Sequence, residues 1–176
     1  MFRRPVARIA AGLMALALAG CGFHLRGSLP GPAETKTLYL TGISRQSSLY
    51  ANLAQVLSYS GGTLALQPAQ AGAIIHVTEA SHTRRPITLS RQGQANTFDL
   101  TFRLRYEVQT PKGEVLIPPQ EMEVRRDYFN NQVSPLGQGE EEAMLRLEME
   151  KEAAETLLRR VVYTLNHRQA SAPPRT

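Results

Sequence analysis

Residues 36–168 predict an α+β fold: a two-layer sandwich with two helices packed on one face of a four-stranded, mostly antiparallel sheet, in the order β-α-β-β-β-α. Three patterns carry that expectation. Between Thr97 and Gln109, Phe98, Leu100, Phe102, Leu104, Tyr106 and Val108 alternate with polar residues, as in a half-buried antiparallel strand. Leu49, Leu53, Val56 and Leu57 recur at helical spacing. So do Met144, Leu147, Ala154, Leu157, Leu158, Val161 and Leu165. Two amphipathic helices need an apolar surface to cover, and one face of such a sheet supplies it.

In chain order, Lys36 to Thr41 alternates about Leu38 and Leu40 and predicts the first strand. Ser47 is placed to cap the first helix, and Ser60-Gly61-Gly62 to end it, because glycine takes the left-handed conformation of a helix C-terminus at little cost. Ala73 to Ala80 predicts the second strand, with Ile75 and Val77 facing in. The polar stretch Ser81 to Asn96, which holds Arg84, Arg85, Arg91 and Gly93, extends this strand and the next into a hairpin beyond the sheet. Pro111-Lys112-Gly113 supplies a tight turn. A fourth strand runs from Glu114 to about Phe129, bulged or broken at Pro118-Pro119, where no backbone N–H is available. Asn130 to Gly139 is expected to be a loop, and Glu140 to His167 the second helix. Its acidic start (Glu140, Glu141, Glu142) and basic end (Arg159, Arg160, Arg168) suit the helix dipole. Three consecutive acids splay around a helix, so this run reads as a solvated first turn and not as a cation site.

The segment before the domain addresses it. Arg3, Arg4 and Arg8 precede an apolar run from Ile9 to Ala19, about half the ~20 residues of a bilayer-spanning helix, so residues 1–20 are expected to be a signal peptide. Leu18-Ala19-Gly20-Cys21 is a lipobox: the Cys21 thiol takes a diacylglycerol and its freed amine an acyl chain. The plainer alternative is a secreted protein whose free thiol happens to lie near the cleavage site. Several acyl chains on one residue give stable attachment. Gly22 stands where Asp would mark inner-membrane retention, which places the expected product at the outer membrane, facing the periplasm. Residues 21–35, rich in Gly and Pro, form a tether, and residues 169–176 a disordered tail.

Removing residues 1–20 from the 176 leaves 156, enough for one domain with a core. It also removes three arginines, so the formal charge falls from +5 to +2 and a nucleic-acid partner loses its main support. Lipidation uses the only cysteine, which excludes disulfides. His24, His76, His82 and His167 are scattered without ligand-like spacing, so no metal site or cofactor is expected beyond the lipid on Cys21. No phosphate loop and no nucleophile–base motif stands out, which disfavours an enzyme.

Four stretches carry a family resemblance: Cys21-Gly22-Phe23-His24-Leu25-Arg26, Arg91-Gln92-Gly93-Gln94 before the Phe98 strand, Val124 to Asn131, and Leu157-Leu158-Arg159-Arg160-Val161. Together they resemble the LptE family of lipopolysaccharide-assembly lipoproteins. The resemblance implies a sandwich that sits as a plug in the β-barrel protein LptD, in a 1:1 complex that places lipopolysaccharide in the outer leaflet. It also implies help in barrel assembly and direct binding of lipopolysaccharide. Arg91 lies at the family position implicated in that binding; a second position, basic in some relatives, aligns roughly with Gln138 here, and Arg84 or Arg85 would compensate. Two other readings share parts of the pattern: a pilotin-like lipoprotein escorting another outer-membrane channel, and a free-standing periplasmic lipid carrier. The carrier needs a deep apolar cavity, whereas the apolar faces here are used by helix-on-sheet packing.

Overall fold

A computed structural model of the chain describes residues 36–89, 95–129 and 135–170. The expected residue ranges of the signal, tether and tail, with Cys21, lie outside the described residues, apart from Gln169 and Ala170.

The elements are β1 (Thr37–Thr41), α1 (Ser48–Tyr59), β2 (Thr63–Leu64), a 3-10 turn (Pro68–Gln70), β3 (Ala73–Leu89), β4 (Ala95–Gln109), β5 (Val115–Phe129) and α2 (Pro135–Ala170). Both helices and the four expected strands are present. A fifth strand, β2, makes the sheet order β2-β1-β3-β4-β5. It is two residues long, too short for any alternation to reveal, and it pairs parallel to β1 through Thr37↔Thr63 and Leu38↔Leu64. β1 also runs parallel to β3, while β3, β4 and β5 form a long antiparallel meander. A parallel neighbour requires a crossover, which α1 provides.

Local chemistry sets the ends of α1. Ser47 is extended (φ −74, ψ 149) and its hydroxyl accepts from the Tyr50 N–H. At the other end Gly61 takes φ +78, letting its N–H reach Ser58 O (3.0 Å) and the Gly62 N–H reach Leu57 O (2.9 Å). Leu49, Leu53 and Leu57 form the buried stripe.

Helix α2 begins earlier than expected, at Pro135. Proline suits a first turn, where its missing N–H has no helical partner in any case and its φ is already helical. The buried stripe also differs. Met149, Ala153, Ala154, Leu157, Leu158, Val161, Val162 and Leu165 are buried, whereas Met144 (62 % exposed) and Leu147 (53 %) are not. The reason is the length of α1, 12 residues against the 36 of α2. Its first residue, Ser48, hydrogen-bonds through its hydroxyl to Glu150. N-terminal to that level α2 rests on the sheet alone, and from Gly139 to Glu148 none of its side chains is fully buried.

The sheet's inner face meets expectation. Phe98, Leu100, Phe102, Leu104, Tyr106 and Val108 are all buried in one core with Ile75, Val77, Ile117, Val124 and the two helices. Pro118-Pro119 produces the expected bulge: between the pairs Tyr106↔Gln120 and Val108↔Ile117, β5 carries one more residue than β4. The polar stretch continues β3 as far as Leu89, paired with Ala95. Pro86, opposite Phe98 of β4, is tolerated there because β1 pairs with β3 only as far as His76, leaving the other side of β3 at Pro86 without a described strand.

Candidate functional site

Of the site residues expected from sequence, Arg84 and Arg85 lie in the outer half of the β3–β4 hairpin. Arg91 itself lies outside the described residues, in the 90–94 connection between Leu89 and Ala95. Gln138 falls in the first turn of α2. Arg84 and Arg85 separate onto opposite faces of the sheet. Arg84 pairs with Leu100 on the helix side and Arg85 with Asp99 on the other.

Arg84 is already engaged. Its guanidinium lies 3.7 Å from the centroid of the Phe98 ring and 5.9 Å from that of Tyr128, a cation–π arrangement. The two rings stack at 5.6 Å. Its Nε is 3.4 Å from Glu142 Oε2. The Glu142 carboxylate also accepts from the Tyr128 hydroxyl and from Arg146 one helical turn on. Burial pushes the Tyr128 phenol up to about 12, helped by the adjacent carboxylate, so it remains a neutral donor. Burial alone would raise Glu142, but the hydrogen bonds from Tyr128 and Arg146 and the charge of Arg84 outweigh it and hold the carboxyl below its ordinary value.

Glu142 was expected to be solvated with Glu140 and Glu141. Those two are exposed, whereas Glu142 is half-buried. The sequence contained a signal for this, since 142, 145 and 149 are spaced to share one helix face and Leu145 and Met149 pack on the core.

A carboxyl depressed by its partners adds stability that is present above its unfolded value, near 4.3, and lost as pH falls through its lower folded value. The contact between α2 and the hairpin should therefore hold from neutrality to about pH 4.5 and weaken below. Amide exchange across residues 139–148 should show wild type losing protection there, and Glu142→Gln losing less. Identical acid limbs would mean that Glu142 contributes nothing to the contact.

The helix-free face is a lattice of paired charges. Arg103 pairs with Glu121 (3.0 Å) and Glu123 (2.6 Å), Arg105 with Glu121 (2.8 Å) and Glu79 (3.3 Å), and Arg125 with Glu123 (2.7 Å). The hydrogen bonds from Arg103 and Arg125 lower the Glu123 carboxyl. Within these pairs three arginines meet three glutamates, and Arg85, Asp99, Glu107 and Asp127 lie on the same face, so the surface is strongly polar with a slight acidic excess.

One further polar cluster joins the layers. Glu150 accepts from Ser48 on one oxygen and contacts His82 Nε2 on the other at 2.9 Å, while the His82 ring lies 4.5 Å from that of Phe102. A serine nucleophile needs the imidazole between hydroxyl and carboxylate. Here the carboxylate stands in the middle, and the cluster ties α1, α2 and β3 together. Among the described residues no group of His, Cys, Asp and Glu could hold a metal ion, and no helix is long and apolar enough to cross a membrane.

This architecture is a small two-layer α+β sandwich with solved counterparts. It superposes on the solution structure of an uncharacterized lipoprotein B from Nitrosomonas europaea with TM-score 0.67, at 24% identity, covering 85% of this chain and 94% of that one. It likewise superposes on a rare lipoprotein B from Shewanella oneidensis with TM-score 0.66, at 21% identity over 76% and 98% of the two chains. The family model for LptE, lipopolysaccharide-assembly, matches residues 35–161, and the chain belongs to that family. An LPS-assembly lipoprotein LptE from Photorhabdus laumondii is 28% identical over 97% of this chain and 92% of its own. One from Pectobacterium atrosepticum is 28% identical over 90% and 85%.

Proposed function

We propose that this chain is a non-enzymatic outer-membrane lipoprotein, held by N-acyl and S-diacylglycerol chains on Cys21. In this reading it plugs and supports the LptD β-barrel in a 1:1 complex and binds lipopolysaccharide. The observation that carries the proposal is membership of the lipopolysaccharide-assembly family across residues 35–161. The polar helix-free sheet face agrees with it, since a water-filled barrel lumen is itself polar. The test is co-purification from outer membranes through a tag on the C-terminal tail. Recovery of the LptD barrel in equal amount is expected; recovery of a different channel, or of no barrel, would overturn the plug role. Palmitate labelling lost in Cys21→Ser checks the anchor.

Within this function the Arg91 guanidinium meets lipid A phosphates, its planar fork suiting two oxygens at once. Arg91→Asp should weaken lipopolysaccharide binding by about tenfold or more, the effect of losing a charge-assisted hydrogen bond. Melting temperature and barrel recovery should stay unchanged. Wild-type binding at low salt would remove Arg91 from the site, and a larger loss in the double variant Arg84→Asp, Arg85→Asp would move the site to that pair.

A further inference from the structure

Three groups converge on the Glu142 carboxylate: the Tyr128 hydroxyl and Arg146 donate hydrogen bonds to it, and Arg84 forms an ion pair with it. Two guanidiniums therefore share one negative charge, and that charge does not satisfy them. The buried Arg146 Nε has no hydrogen-bond partner among the described residues. Both arginines remain 41% exposed, so a ligand can reach them. The stretch bearing Glu142 has no fully buried side chain between Gly139 and Glu148, so its opening lifts only the partly buried Leu145 from the edge of the core and leaves the buried stripe from Met149 to Leu165 in place. Exposed Met144 and Leu147 lie on the same stretch.

We propose that Glu142 is an internal latch: its carboxylate occupies a phosphate-binding cradle formed by Arg84, Arg146 and Tyr128, and a phosphate monoester displaces it, releasing the start of α2 from the hairpin. A phosphate monoester carries up to two charges and three acceptor oxygens. It can therefore neutralise both guanidiniums and reach donors that one carboxylate leaves over. Where the phosphate belongs to a lipid, the apolar Met144 and Leu147 gain a surface to cover when the helix start moves. The lipid form of the proposal rests on the lipopolysaccharide-binding function above; the cradle itself does not.

The test uses the full domain, titrated with inorganic phosphate, with lipopolysaccharide micelles and with micelles of the same lipid after phosphatase treatment. Glu142→Gln removes the competing charge and keeps the side-chain length. If the latch is closed in about nine molecules of ten, this variant should bind phosphate about tenfold more tightly than wild type. Glu152→Gln is the control, since it makes the same change in net charge on α2 but at the Arg126 pair, outside the cradle. It should leave affinity unchanged. Arg84→Gln with Arg146→Gln should abolish the gain. In wild type, either phosphate source should raise amide exchange in residues 139–148, and dephosphorylated micelles should not. Equal affinity of Glu142→Gln and wild type, or an equal gain in Glu152→Gln, would overturn the latch. If lipopolysaccharide binds wild type while exchange in 139–148 stays unchanged, the latch fails and lipopolysaccharide binding stands. If inorganic phosphate alone shifts both readouts, the latch stands and lipopolysaccharide as its ligand falls.

Discussion

Phe102→Ala should lower the stability of the domain by about 3–5 kcal/mol, the usual cost of removing a buried aromatic side chain. Phe102 is 2% exposed, sits midway along β4 between His82 and Val124, and lies against the His82 ring at 4.5 Å in a tilted contact. Truncation would leave a cavity and strip the imidazole of its apolar cover, and the core cannot close over a gap held open by two neighbouring strands. For a domain of this size the loss should appear as a fall in melting temperature of roughly 10–20 °C. Arg103→Ala, one residue along on the opposite face, is the comparison. It breaks ion pairs to Glu121 and Glu123 that are exposed and screened, so it should cost no more than about 1 kcal/mol. Similar melting temperatures for the two variants would mean that β4 presents its polar face to the helices.

That contrast rests on the part of the fold most legible in the sequence. A strand buried on one side and wet on the other must alternate, and β4 does so without interruption from Phe98 to Val108. The caps of α1 were legible for a related reason: the Ser47 hydroxyl reaches an N–H three residues on and Gly61 acts through its own backbone, with no need of distant partners. β2 was not legible, because two residues cannot display a period and its existence depends on β1 lying alongside.

The candidate site was legible in residue type but not in geometry. Arg84 and Arg85 stood out as cations near the hairpin tip, yet their faces could not be extrapolated from Ile75 and Val77. Between Val77↔Tyr106 and Glu79↔Arg105, β3 carries one more residue than β4. A single inserted residue reverses the alternation, so odd positions face inward before the bulge and even positions after it. Arg84 thus lands among Phe98, Tyr128 and Glu142, and Arg85 on the open face. Met144 and Leu147 were misplaced for a similar reason. Helical spacing shows which residues share a face, but how far a neighbouring helix extends along that face is a tertiary fact.

Gly42→Ala should be the other severe substitution, although it adds one methyl group at a turn. Gly42 has φ +86, and a Cβ built on it would lie 1.9 Å from the Val77 carbonyl oxygen and 3.2 Å from the His76 ring. Positive φ alone costs a non-glycine residue about 1–2 kcal/mol. The close approach adds to that, since the obstructing atom belongs to the backbone of β3 and cannot rotate away. It sits where β1 leaves the sheet towards α1 and where the β3 bulge begins, so relief would require moving a core strand. The expected loss is about 3 kcal/mol or more, in the range of a core lesion. Gly61→Ala and Gly113→Ala separate the two causes. Both glycines have positive φ, +78 and +89, but neither added Cβ meets any atom within 4 Å. Each should lose only the conformational part, about 1 kcal/mol. Chemical denaturation of the three variants side by side measures the difference, and a Gly42→Ala midpoint matching the other two would show that β3 yields to the methyl group after all.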